Sequence, residues 1–272
     1  QASFHVDPWI TGVALTVLTA VVVLGGIQSI SRATSFIVPF MAIVYVMGGL
    51  AIIFLHYDKV IPAVELICRS AFGLDAVVGG AIGTAIRYGV ARGVFSNESG
   101  MGSAPIAAAA AKTDHPCRQA LVSMTGTFLD TLVVCSITGI VLVIGGLYAT
   151  SGDTGAALTS HTFNDLLPGP GGWLVTFGLV FFAYSTILGW CYYGEKCASY
   201  LGGEKVVPIY RIVYVVTVLL GAGVNLGLVW AAADVFNGLM AVPNLIALLL
   251  LSNVIVSETR DFIQKRRSGE LH

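Results

Sequence analysis

Apolar runs separated by short polar joints fill most of the chain, and a helix needs about 20 such residues to cross a bilayer. The runs extend from about Trp9 to Gln28, Phe36 to His56, Ala76 to Ala111, Arg118 to Gly146, Trp173 to Tyr200, Pro208 to Gly223 and Leu226 to Val256. Joints are expected at Gln28 to Arg32, at Lys112 to Pro116 and at the Gly202-Gly-Glu-Lys205 turn. Pro39 is expected in the first turn of its helix, where a missing N–H costs little. The charges of Asp58, Lys59, Glu65, Arg69 and Asp75 interrupt the pattern, and Ile61 to Phe72 reads as an interfacial amphipathic helix. Residues 147–171 form a Gly/Ser/Thr/Pro-rich connection without Lys or Arg. Pro243 lies inside the last run, and the tail from Arg260 to His272 is basic.

The run from Ala76 to Ala111 is too long for one straight crossing at about 1.5 Å per residue. Its middle holds Ser96, Asn97, Glu98, Ser99, Gly100 and Gly102, with Pro105 just after. Irregular backbone at membrane depth is tolerated only against protein or a cavity. The pattern therefore predicts two half-helices, roughly 76–95 and 103–112, joined by an unwound piece. Unwinding frees carbonyls around Val94 and Phe95 and N–H groups around Ser103 and Ala104. The first set carries partial negative charge and suits an ammonium group or Na⁺; the second carries partial positive charge and suits a carboxylate. A zwitterionic amino acid fits both ends, and Gly100 and Gly102 permit close approach of backbone and ligand. The competing reading is a glycine hinge that only kinks a packed helix. Ala104 to Ala111 reads as a close helix contact.

Composition narrows the class. The chain is 56% hydrophobic and 11% charged, against about 25% charged in a soluble domain. The fold class is thus an all-α polytopic membrane protein embedded in a lipid bilayer. A net charge of −1 gives no reason to expect nucleic acid. Cys68, Cys117, Cys135, Cys191 and Cys197 are scattered without metal or redox spacing. The chain begins at Gln1 with no signal peptide, which reads as a fragment lacking N-terminal helices. Placing the basic tail in the cytoplasm puts Arg32, Lys112, Arg118, Lys196, Lys205 and Arg211 inside and leaves Lys59 and Arg69 outside. About seven spans result, with the N-terminus outside and the C-terminus cytoplasmic.

Polar residues within the runs are the candidates for chemistry. Glu98 carries an insertion cost of about 2.5–3.5 kcal/mol unless satisfied. It is read either as a structural cap or pair, with Arg92 and Arg87 the nearest cations in sequence, or as a coupling group. Asp130 is a second intramembrane carboxylate, for which a hydrogen-bonding role is expected ahead of ion binding. Ser185 and Thr186 are adjacent hydroxyls of the kind that bond back to the preceding turn, but Trp190 shares the face of Thr186 and the two could line a small pocket. Glu195 and Lys196 read as interface anchors. Asn225, Asp234, Asn237 and Asn244 are weaker candidates. GxSxG, HExxH and paired-Cys constellations are absent, so an enzyme is not expected, and no cofactor is called for.

The stretch Arg92-Gly-Val-Phe-Ser-Asn-Glu-Ser-Gly-Met-Gly-Ser-Ala-Pro-Ile-Ala resembles the signature of the sodium:alanine (alanine or glycine:cation) symporters. So do Phe128-Leu-Asp-Thr131, Gly189-Trp-Cys-Tyr-Tyr-Gly-Glu195 and Gly238-Leu-Met-Ala-Val-Pro-Asn244, and the resemblance runs from Val38-Pro-Phe-Met-Ala42 to about Ser252. It implies a leucine-transporter-like inverted five-helix repeat and Na⁺-coupled uptake of alanine or glycine across a bacterial or archaeal plasma membrane. Within that plan 1–75 is the end of a truncated first repeat with its connecting loop. Residues 76–258 form a complete second repeat and 259–272 a basic cytoplasmic tail. The resemblance places substrate contacts at Phe95, Ser96, Asn97, Ser99, Gly100, Gly102 and Trp190, and ion contacts at Ser185 and Thr186. Arg92, Glu98 and Asp130 take structural or coupling roles. Ser99 stands where Ala is expected and Met101 where Leu is expected. The family's N-terminal broken helix has no counterpart here, so this chain alone is not expected to transport. Rival readings are an uncoupled or H⁺-coupled small amino-acid channel or facilitator, and a non-transporting scaffold or sensor.

Overall fold

The computed structural model describes residues 7–72 and 81–271. Every regular element among them is helical. Helix α1 (Pro8–Leu24) starts under an Asp7 cap, whose side chain accepts from the Trp9 N–H at 2.8 Å. The chain turns at Gly25 and at Gly26, where φ is +71°, and α2 (Gly26–Leu55) follows at once. A β-carbon on Gly26 would strain the backbone and sit 3.2 Å from the Arg211 guanidinium. The joint expected at Gln28 to Arg32 is therefore helical, and the break falls on the glycine pair before it. Pro39 lies in the interior of α2 rather than its first turn. Helix α3 (Tyr57–Phe72) contains the amphipathic segment.

Next come α4 (Ala81–Asn97), the short α5 (Ala104–Ala108) and α6 (Pro116–Phe128). A π-helical turn, Leu129–Cys135, carries α6 into α7 (Ser136–Gly145). Helices α8 (Gly155–Leu166), α9 (Pro170–Gly202), α10 (Val207–Gly221), α11 (Leu226–Leu250) and α12 (Ser252–Ser268) complete the chain. Among the described residues four helical stretches are long and apolar enough to cross a membrane: Gln28–Leu55, Pro116–Gly145, Pro170–Gly202 and Leu226–Leu250. Trp9–Leu24 is a shorter apolar helix. Phe36, Phe54 and Leu249 project outward from these stretches and are more than two-thirds exposed, as side chains facing lipid would be.

The chain divides into two compact units. The first comprises residues 1–85 and 133–224. Its core is built from Tyr45, Ile52, Ile137, Val141, Phe163 and Val175. Gly48 and Gly49 let Leu174 and Ile137 pack directly on the α2 backbone. The Tyr45 hydroxyl lies 2.7 Å from Thr138 Oγ1, which itself donates to the Val134 carbonyl. Helix α8 is the unexpected member. It falls in the Gly/Ser/Thr-rich connection, yet Phe163 is wholly buried and Ser160, Thr162 and Leu166 are buried around it. Packing of one face overrides weak intrinsic propensity.

Glu195 is buried within α9 rather than anchored at an interface. Arg211 of α10 meets it in a two-pronged pair, Nε to Oε2 at 2.8 Å and Nη2 to Oε1 at 3.1 Å. A planar fork on a carboxylate is the geometry that offsets desolvation of both charges.

The second unit comprises residues 86–132 and 225–272. Asn225 caps α11 by accepting from the Gly227 N–H at 2.9 Å. The basic tail is helical through Ser268, and its helix ends at Gly269, with φ +79°.

Candidate functional site

The second unit contains the broken helix. Helix α4 ends at Asn97 and α5 begins at Ala104, so Glu98 to Ser103 is the unwound piece. The first half runs two residues past the expected end, and the second is shorter than 103–112. Glu98, Gly100 and Gly102 have φ of +56°, +80° and +85°. Glycine reaches that region freely, but Glu98 is the sole non-glycine residue there among those described. Such a conformation persists only where the surroundings impose it.

Those surroundings are a set of side-chain bonds. The Ser103 hydroxyl donates to Glu98 Oε2 at 2.7 Å, closing the break on itself. The Asn97 carbonyl oxygen accepts from the Ser99 N–H at 3.0 Å, and its amide donates to Thr131 Oγ1 at 3.0 Å. The Ser96 hydroxyl lies 2.9 and 2.8 Å from the two carboxylate oxygens of Asp130, sharing one proton between them. From α11, Asn244 donates its amide to the Gly100 carbonyl at 2.9 Å. A β-carbon on Gly102 would stand 3.1 Å from the same Asn244 side chain.

Arg92 departs from expectation. Its partner is Asp234 of α11, at 3.0 Å, and its guanidinium lies 4.1 Å from the Trp230 ring centre. Phe95 meets Trp230 edge-on, with ring centres 5.7 Å apart. Glu98 is thus held by a hydroxyl, and the arginine one helical turn and a half before it serves a carboxylate on another helix. A cavity of about 500 Å³ runs beside the break, lined by Arg87, Phe95, Ser99, Gly100, Asp234, Asn237 and Leu245, among others.

Asp130 and Thr131 owe their reach to the π-helical turn that contains both. Such turns insert a residue into an α-helix and are frequent at functional sites. The sequence marks the two polar residues but carries no sign of the turn. Asn244 and Asp234, ranked low from sequence, are the α11 residues that bond to the broken helix through polar side chains. A signal was present in their position, since an amide and a carboxylate inside an apolar run both require partners.

The remaining candidates belong to the first unit. The Ser185 hydroxyl donates to the Phe182 carbonyl at 3.0 Å, the back-bond expected of such residues, reaching three residues rather than four. Thr186 is exposed and Trp190 half-buried, with the Trp190 ring edge-on to Tyr193 at 5.7 Å. These three stand together on α9.

Comparison with known proteins adds an independent line. A model of the sodium:alanine symporter family matches residues 1–272. The sodium/alanine symporter AgcS of Methanococcus maripaludis is 60% identical over 98% of this chain and 59% of its own length. A transporter of Haemophilus influenzae without assigned substrate is 52% identical over 97% of this chain and 59% of its own. The amino-acid carrier protein AlsT of Bacillus subtilis is 36% identical over 99% and 58%. The chain thus spans somewhat less than three-fifths of the length of these relatives.

Proposed function

The chain belongs to the sodium:alanine symporter family, and on that premise we propose that the complete protein is a secondary active transporter coupling Na⁺ to uptake of alanine or glycine. The membrane is the plasma membrane of a bacterium or archaeon, with the C-terminus cytoplasmic. The architecture is a leucine-transporter-like inverted repeat, in which 1–75 ends the first repeat, 76–258 forms the second and 259–272 is the tail.

The observation that carries this reading is the unwound Glu98–Ser103 segment and the bonds that hold it. The carboxylate within it and the one beside it are engaged locally, Glu98 by Ser103 and Asp130, from the π-helical turn, by Ser96. Arg92, Glu98 and Asp130 therefore shape the break rather than bind cargo. Binding falls to the backbone and to neutral polar groups. Carbonyls of the last turn of α4, around Val94 and Phe95, present partial negative charge to the substrate ammonium or to Na⁺. With the Ser99 N–H given to Asn97 and the Met101 N–H to the Glu98 carbonyl, the amide N–H groups of Gly100, Gly102 and Ser103 present the complementary charge to its carboxylate. Helix α5, five residues long with Pro105 in its first turn, adds little dipole. Phe95, Ser96, Asn97, Ser99, Gly100 and Gly102 are the proposed substrate contacts of the broken helix, and Trp190 is the proposed contact of α9. The oxygens of Ser185 and Thr186 ligate the ion. A small neutral amino acid matches a site whose charges are partial and whose carboxylates are already satisfied.

The substitutions Asn97→Ala and Trp190→Ala, made in the complete gene product, test the assignment. Asn97→Ala removes two hydrogen bonds at the break and is expected to weaken apparent alanine affinity by about tenfold. Trp190→Ala is expected to reduce Na⁺-dependent uptake without changing the amount of protein in the membrane. Wild-type uptake and affinity in both variants would refute the site.

A further inference from the structure

A second site lies at the far end of α6. The first turns of this apolar span present Arg118, Leu121, Val122 and Thr125, at the three- and four-residue spacing that places them on one helical face. Opposite stand Phe262 and Arg266, also four apart, on α12. Together they enclose a groove of about 380 Å³.

The groove is held open by the join between the two helices. His115 is buried, and its Nδ1 accepts from the Cys117 N–H at 3.1 Å, capping α6. The tautomer this selects carries its proton on Nε2, which lies 3.1 Å from Asp261 Oδ2 and so donates to it. The His115 ring packs against Phe262 with centres 5.1 Å apart. Lys265 neutralises the outer side of Asp261 at 2.7 Å, and Asp114 neutralises one edge of Arg118 at 2.7 Å. Helix α12 is thereby fixed with Arg266 facing the groove and Arg267 one position away from it.

We propose that this groove binds an anionic phospholipid. Its walls are apolar and belong to the start of a membrane span, where Leu121 and Val122 are about half exposed. Its rim bears an arginine from each helix. An acyl chain lies along Leu121, Val122 and Thr125, and the phosphate sits between Arg118 and Arg266. A soluble anion would gain only the rim, and a zwitterionic lipid would bring its own ammonium to two arginines. Charge complementarity and the apolar floor together select a lipid of net negative charge. The site lies apart from the broken helix and does not depend on what the protein transports.

Native mass spectrometry of the detergent-purified complete protein tests this, with dioleoyl-phosphatidylglycerol and dioleoyl-phosphatidylcholine as the probes. Phosphatidylglycerol is expected to be retained preferentially. Arg266→Gln is expected to weaken its retention by about fivefold, the weight of one basic group at a membrane surface. Arg118→Gln should do the same, while Arg267→Gln, outside the groove, should change it by less than about twofold. Arg266→Gln leaves every contact of His115 and Asp261 in place, so its result stands even if Arg118→Gln impairs folding. Equal retention of the two lipids would overturn the proposal, because the tails alone would then be recognised. Equal loss in Arg266→Gln and Arg267→Gln would overturn it as well, because attraction would then be diffuse.

Discussion

Gly102 shows how much of the site rests on single residues. Its φ of +85° lies where an L side chain is strained, and its α-carbon faces Asn244, which itself holds the Gly100 carbonyl. Gly102→Ala adds a left-handed penalty of about 1–2 kcal/mol and pushes Asn244 off its bond. The expected outcome is lower thermal stability together with weaker substrate binding. Thermal unfolding with and without alanine would show a smaller ligand-induced rise in Tm than in the wild type. At this scale the sequence was legible in part. Ser96, Asn97, Glu98 and Gly102 announce themselves as polar or glycine residues at membrane depth, because lipid forbids an unsatisfied group. Their partners do not announce themselves. That Arg92 serves Asp234, and that Glu98 turns to Ser103, depends on where α11 and the loop lie. Sequence neighbourhood favours neither choice.

At the scale of elements, strong signals and weak ones separate cleanly. Long apolar runs became α2, α9 and α11 because burying backbone in lipid leaves helix as the economical solution. The break within Ala76 to Ala111 was legible for the same reason. Three elements were not anticipated: the π-helical turn at Leu129–Cys135, α8, and the helical tail α12. The first two depend on contacts of the folded state rather than on local pattern, whereas α12 carries local signals in the Asp261–Lys265 pair, the basic last turn and Gly269 at its end. Helix α8 is the clearest case, and Phe163→Ala is expected to remove about 3–5 kcal/mol from the first unit. Chemical or thermal unfolding in detergent would register this, with a loss below 1 kcal/mol arguing that α8 is only peripheral. The α12 join makes a prediction in pH. Hydrogen bonds from Lys265 and then from His115 hold the Asp261 carboxyl below its ordinary range, against some desolvation. A depressed folded value means the carboxylate stabilises the join above about pH 4, the value of a free aspartate. That stabilisation is lost as pH falls through the folded value. Amide protection in α12, taken relative to the intrinsic exchange rate at each pH, should therefore drop in the wild type below about pH 4. In Asp261→Asn protection should already be lower at neutral pH and change less on acidification.

For the whole molecule, two compact units share the candidate residues. The broken helix with Arg92, Glu98, Asp130, Asp234 and Asn244 lies in one, and Ser185, Thr186 and Trp190 lie in the other. The chain belongs to the sodium:alanine symporter family, and on the function proposed for the complete protein the broken helix is the part that would hold a small zwitterion. The chain covers 59% of the length of AgcS, so the proposed transport is to be measured on the complete gene product. The most direct measurement is uptake of labelled alanine into proteoliposomes containing that product, with and without an inward Na⁺ gradient. Accumulation above the external concentration, present with the Na⁺ gradient and abolished when Na⁺ is equal on both sides, is the predicted result. Flux that only equilibrates alanine and is indifferent to Na⁺ would contradict coupled symport and leave a facilitator in its place.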